Sequence, residues 1–157
     1  MAMEIERKFI VSGPGYKERA RSRSHITQGY ILSDEGRTVR IRRRDDKAYL
    51  TIKGPSSNGG TTRFEWEKEV SSEDAEEMFK MCRGGLVDKH RYLVESGHHI
   101  WEVDEFHGDN EGLVMAEVEL SYADEAFLKP DFVSEEVTGD VRYYNSMLMK
   151  HPFKEWI

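Results

Sequence analysis

Apolar and polar residues alternate with period two along most of the chain, in short segments broken by turn residues, as in strands with one buried face. The alternation predicts eight strands, at 3–11, 25–32, 37–44, 47–54, 61–70, 88–94, 98–104 and 113–120. Ser12-Gly13-Pro14-Gly15, Asp34-Glu35-Gly36, Asp45-Asp46, Ser96-Gly97 and the glycine-rich stretches 54–60 and 108–112 supply the breaks. Three helices interrupt the strands. One starts at Ser71/Ser72, carries Ala75, Met78, Phe79 and Cys82 on one stripe and stops at Gly84-Gly85. A shorter one opens at Ser121-x-x-Asp124 and ends before Pro130, and a third spans 142–150. Eight is an even count that suits closure. The expected fold class is therefore mainly β (α+β): an eight-stranded antiparallel closed β-barrel, or tunnel, with helices packed outside.

What the strands carry on their polar faces is unusual. Glu4, Glu6 and Lys8 share one side of the first strand, opposite Ile5 and Phe9. Arg40 and Arg42, Thr51 and Lys53, Arg63, Glu65 and Glu67, Lys89 and Arg91, Glu102 and Asp104, and Glu117 and Glu119 repeat the split. A solvated face mixes neutral and charged side chains and avoids like charges opposite one another. Here carboxylates crowd the first and last strands and cations the middle ones, so the polar face reads as a charged lumen. On closure the first and last strands become neighbours, and Glu4, Glu6, Glu117 and Glu119 converge.

Charge sharpens this picture. The chain is −7 overall, which argues against a general nucleic-acid binder. From Arg37 to Lys53, however, seven basic residues face two acidic ones, and from Glu102 to Asp140 thirteen acidic residues face Lys129 alone. Self-repelling carboxylates call for a hard cation such as Mg²⁺ or Mn²⁺, and a set of guanidinium and ammonium groups calls for phosphate oxygens. An elongated anion of several phosphates satisfies both clusters.

The same residues carry a family resemblance. Glu4-x-Glu6-x-Lys8, Arg40-x-Arg42, Thr51-Ile52-Lys53, Arg63-x-Glu65-x-Glu67, Lys89-x-Arg91, Val103-Asp104-x-Phe106, Glu117-x-Glu119 and Glu136-Val137-Thr138 follow one another as in the CYTH, or triphosphate tunnel metalloenzyme, superfamily. The sequence resembles its short inorganic triphosphatases. The resemblance implies a tunnel that binds a triphosphate and divalent cations, and an enzyme that hydrolyses tripolyphosphate to pyrophosphate and phosphate. Adenylyl cyclisation of ATP and non-catalytic polyphosphate binding are the rival readings.

On this reading Glu4, Glu6, Glu117 and Glu119 hold Mg²⁺ or Mn²⁺, assisted by Asp104, with Glu117 and Glu119 also counted as catalytic. Arg40, Arg42, Lys53, Lys89 and Arg91 position the phosphates. Lys8 touches both clusters and orients water or protonates the leaving group, with Tyr30 as its candidate partner across two neighbouring strands. Asp104 has a structural alternative, an ion pair with Arg91. The six histidines show no ligand spacing, and Cys82 reads as a structural thiol. The 157 residues suit a single domain, 1–157. With no signal-like or membrane-spanning apolar run, the expectation is a cytoplasmic protein with a small-molecule triphosphate as ligand. No nucleic-acid or membrane partner is expected, and a homodimer is an admissible assembly.

Overall fold

A computed structural model describes residues 3–156. Eight strands close into an antiparallel barrel: β1 (Met3–Val11), β2 (Ser22–Asp34), β3 (Arg37–Arg44), β4 (Lys47–Lys53), β5 (Thr62–Val70), β6 (Arg83–Ser96), β7 (His99–Phe106) and β8 (Val114–Glu119). Around the ring the order is β1-β5-β4-β3-β2-β6-β7-β8, and β8 returns to β1. The first and last barrel strands are thus paired, with Lys8 opposite Glu117 and Glu6 opposite Glu119. A ninth strand, β9 (Val133–Glu136), adds to β1 beyond its short pairing with β5. This strand is absent from the sequence expectation because four residues are too few for alternation to register.

The barrel is inverted relative to an ordinary sheet. Phe9, Tyr92, Val94, Trp101, Val103, Ala116 and Val118 point outward and form the main core with Tyr16, Phe132 and Val133. Tyr16 belongs to a short helix, α1 (Gly15–Arg19), which the sequence pattern did not reveal. A second outer cluster joins Ile41 and Ala48 to Ala75 of α2 (Ser72–Lys80), the predicted first helix. Ser71 caps α2 by accepting from the Asp74 amide. The chain leaves α2 into β6 at Arg83, before the glycines expected to stop the helix.

Two expectations about helices fail. Residues 121–129 are not helical, since the Glu125 carboxylate accepts from the Ser121 amide and pairs with His99, folding the segment into a turn. Phe127 then packs on Phe9 and Trp101. The third helix, α3 (Asn145–Lys150), follows a 3-10 turn at Val141–Tyr143 and is not outside the barrel. Its Leu148 and Met149 pack with Ile10, Tyr30, Val87, Phe106 and Met115, which all sit on the inward-facing register of their strands. An apolar plug therefore fills one end of the lumen, and the charged part lies above it. Among the described residues, no helix is long and apolar enough to cross a membrane.

Candidate active site in the barrel lumen

The lumen above α3 is a cavity of about 210 Å³, lined by seven carboxylates and seven cationic side chains. Strand register sorts them. Arg40, Arg42 and Arg44 project from β3 and Arg91 from β6, forming a cationic wall. Glu6, Glu102, Glu117 and Glu119 project from β1, β7 and β8 and form the facing acidic wall. Glu4, Arg63, Glu65 and Glu67 line the seam where β5 meets β1 and β4.

On the acidic wall like charges stand directly opposite each other, Glu6 to Glu119 and Glu102 to Glu117, an arrangement that destabilises a sheet without a counter-charge. The protonation of these groups reflects this. Burial and the neighbouring Glu117 push Glu6 well above the usual carboxylate range. Burial would also raise Glu117, but Lys8, a hydrogen bond from Glu6, Arg91 and Lys89 hold it well below. Glu6 is thus pushed toward its protonated form and Glu117 toward its ionised one. Burial followed by Glu4 and Glu102 raises Glu119, and burial with Glu4 raises Glu65.

The cationic wall has the converse deficit. Burial and the proximity of Arg40 and Arg91 pull Arg42 down to about 9. Arg40 donates to Thr51 Oγ1 at 3.1 Å, yet its Nε is buried without a partner. Such a wall accepts anionic oxygens readily.

Two lysines stand among the carboxylates. Lys53 Nζ reaches Glu4 at 2.9 Å and Glu65 at 3.4 Å, and Lys8 Nζ lies 3.8 Å from Glu117. The convergence of four carboxylates free of matching cations therefore needs correction, because neighbouring strands interleave the two signs. Among the described residues no three acidic, histidine or cysteine groups are already set as a metal cage. The donor set nevertheless fits a hard divalent cation: Glu6, Glu117 and Glu119 all offer oxygen ligands from the paired strands β1 and β8, Glu6 stands opposite Glu119, and both of these gain from added positive charge.

Lys8 itself is buried, and although burial would lower it, Glu117, Glu6 and Glu4 raise it, so it is an ammonium at neutral pH. Its Nζ lies 4.7 Å from the centre of the Tyr144 ring. Tyr144 is fixed in turn by Ser56, in a loop whose Gly60 packs backbone to backbone on Gly139 with both at positive φ, +94° and +82°. Tyr30 lines the same cavity, but not from a strand beside that of Lys8 as expected. β2 lies four strands from β1 either way round the ring, and the Tyr30 hydroxyl accepts from Gln28 Nε2 at 3.0 Å.

Lys89 and Asp104 also differ from their expected places. Both are buried behind the cavity wall, where Lys89 Nζ meets Asp104 at 2.7 Å and Asp104 braces Arg91 through two bonds of 2.8 and 2.9 Å. Burial outweighs Asp104 and, with Arg91 and Arg42 nearby, brings Lys89 down to about 7. Asp104 takes its structural alternative. Glu4, Glu6, Lys8, Tyr30, Arg40, Arg42, Lys53, Arg91, Glu117 and Glu119 all line the cavity. Sequence reasoning did not select Glu102, Tyr49, Tyr144 or Asn145, which line it too. Two of them carried a signal: Glu102 shares the face of Asp104, and Tyr49 that of Thr51 and Lys53.

A family model described as the CYTH domain matches residues 2–145. The chain belongs to the CYTH domain family. The inorganic triphosphatase of Acetivibrio thermocellus is similar to this CYTH chain at 46% identity over 157 residues, 99% of each protein. That of Nitrosomonas europaea is 32% identical over 150 residues, covering 92% of this chain and 95% of the relative. Among solved structures, the crystal structure of an inorganic triphosphatase superposes with a TM-score of 0.65 at 29% identity, covering 95% of each chain. The CYTH match spans every strand of the barrel and reaches Asn145, the first residue of the plug helix.

Proposed function

We propose that this chain is a divalent-metal-dependent triphosphatase that hydrolyses inorganic tripolyphosphate to pyrophosphate and orthophosphate. The observation that carries the reading is the facing of a cationic and an acidic wall across one cavity, each short of counter-charge. A polyphosphate against the first and divalent cations against the second resolve both deficits. The inorganic triphosphatases named above, similar over nearly the whole chain, support the substrate class.

Glu6, Glu117 and Glu119, with Glu4 at their edge, would hold Mg²⁺ or Mn²⁺. Bound there, the metal supplies Lewis-acid charge to phosphoryl oxygens and acidifies water. The rest is the work of the chain. Arg40, Arg42 and Arg91 clamp phosphate oxygens from the opposite wall and absorb charge as the bond to the leaving group lengthens. Lys8, an ammonium held between the walls, is a hydrogen-bond donor and an acid, so it serves the attacking water's orientation or the leaving oxygen rather than acting as a base. The substrate is a small molecule and the place of work the cytoplasm.

The test is to incubate purified protein with tripolyphosphate and Mg²⁺ and identify every product. Equal amounts of pyrophosphate and orthophosphate are expected, and binding without turnover would reduce the protein to a binding module. ATP is the discriminating competitor. The aromatic rings of the cavity are already engaged: Tyr144 with Lys8, Tyr49 beneath the Arg44 guanidinium at 5.0 Å, and Tyr30 with Gln28. Asn145 apart, the rest of the lining is charged or hydroxyl-bearing and suits phosphate oxygens rather than a nucleobase. Tripolyphosphate should therefore exceed ATP in kcat/KM by at least about tenfold, roughly 1.4 kcal/mol of transition-state binding. Cyclic AMP as the main product from ATP would overturn the hydrolase reading.

A further inference from the structure

Behind the cationic wall runs a continuous chain of hydrogen bonds that the chemistry above leaves unused. Arg42 Nε donates to Gln28 Oε1 at 2.8 Å. Gln28 Nε2 donates to the Tyr30 hydroxyl at 3.0 Å and to Asn145 Oδ1 at 3.2 Å, and Lys89 Nζ donates to the same Asn145 oxygen at 2.9 Å. From Lys89 the chain continues through Asp104 to Arg91. Two cavity-lining guanidiniums, on strands at either side of β2, are thus tied to one residue at the start of the plug helix.

The polarity of the chain is forced from the Arg42 end. A guanidinium only donates, so the Gln28 oxygen must face Arg42. Gln28 then presents its amide nitrogen to the Asn145 oxygen, which also accepts from Lys89. Each amide thus has one orientation, set by the next. Gln28 is fully buried, so no water can replace these bonds at small cost. Arg42 also needs the brace, since Arg40 and Arg91 repel it and its Nε has this one acceptor to hold it.

We propose that Asn145 and Gln28 are positioning residues that set the Arg42 guanidinium for phosphate binding, so that the seating of α3 governs the affinity of the cationic wall. Neither needs to touch the reacting atoms. This inference rests on the reading of the lumen as a tripolyphosphate site, and its test separates the two. Steady-state kinetics with tripolyphosphate and Mg²⁺ would be measured for the wild type, Asn145→Ala, Gln28→Met and the double variant, then for Asn145→Ala in an Arg42→Ala background. Gln28→Met keeps the buried volume, and in Asn145→Ala water from the cavity can fill the space.

Each single variant should raise KM about tenfold with a smaller change in kcat, because what is displaced is a binding group. The double variant should be no worse than about the larger single effect, whereas independent roles would multiply to about a hundredfold. With Arg42 already removed, Asn145→Ala should change KM less than about twofold. Melting temperatures, followed alongside, report any purely structural cost, and where Asn145→Ala does not fold, Asn145→Ser takes its place. Unchanged KM in both single variants, multiplicative effects in the double, or a full effect in the Arg42→Ala background would each overturn the inference. A wild-type protein that turns over no tripolyphosphate would instead overturn the functional reading itself.

Discussion

Stripped of divalent cations by a chelator, the protein should turn over tripolyphosphate at the uncatalysed rate and recover when Mg²⁺ or Mn²⁺ is restored in excess. The expectation comes from the acidic wall, where Glu6 faces Glu119 and Glu102 faces Glu117 on paired strands. Arg91 pairs with Glu102 and Lys8 with Glu117, but among the described residues Glu6 and Glu119 have no ion pair, and a polyanion brought into the cavity without metal meets them uncompensated. Glu117→Gln should act in the same direction as chelation but less completely, with kcat lowered by about two to three orders of magnitude even in saturating metal. Glu117 is the carboxylate kept ionised by Lys8, Glu6, Arg91 and Lys89 against the effect of burial, so its charge is the one the others are arranged around. The variant should still fold, since the apolar core lies on the outside of the barrel. Circular dichroism and a phosphate-release assay on the same preparation decide the matter, and full activity in metal-free protein would sink the assignment.

Asp104→Asn should destabilise the protein by about 3–5 kcal/mol and depress activity with it. Asp104 is the shared anion of Lys89 and Arg91, and without it two buried cations face each other. The pH dependence supplies a signature. Burial alone would raise Asp104, but Arg91 and Lys89 hold its folded pKa far below the ordinary 3.8. Its stabilisation is therefore complete above the unfolded value and is lost as pH falls toward the folded one. Lys89 works in the opposite range. With a folded value near 7 against an ordinary 10.5, the unfolded chain binds more protons between the two, and stability rises with pH across that window. Denaturant unfolding from neutral pH down through the unfolded value of 3.8 and as far below it as the protein stays folded should show a gap that holds above that value and closes below it. A constant gap at every pH would mean that the Asp104 charge contributes nothing.

The barrel and most of its lumen were legible because alternation is a local property: once Ile5 and Phe9 are assigned outward, Glu4, Glu6 and Lys8 have nowhere to point but inward. The pairing of β1 with β8 followed from closure. Neighbourhood across the ring was not legible, which is why Tyr30 was matched with Lys8. The chain after β1 passes through α1 and re-enters as β2 on the far side of the barrel, and no period in the sequence records that crossing. The same limit explains α3. Leu148 and Met149 mark an apolar helix face, yet whether it covers the outside of a barrel or enters its end depends on what the lumen-facing residues Phe106, Met115 and Val87 leave unfilled. Gln28, Tyr144 and Asn145 carry no formal charge at neutral pH and sit in no alternating charged pair, so only their three-dimensional partners single them out.

The plug has a consequence for traffic. A barrel open at both ends lets a polymer thread through and be cut anywhere along its length, but here Leu148 and Met149 stop one end with hydrocarbon. The lumen is a blind vessel. On the proposed function, a polyphosphate would enter it by a terminus, the number of phosphates reaching the acidic wall would be limited by depth, and the pieces would leave by the way they came. Pyrophosphate on its way out would occupy the arginines that the next substrate must reach.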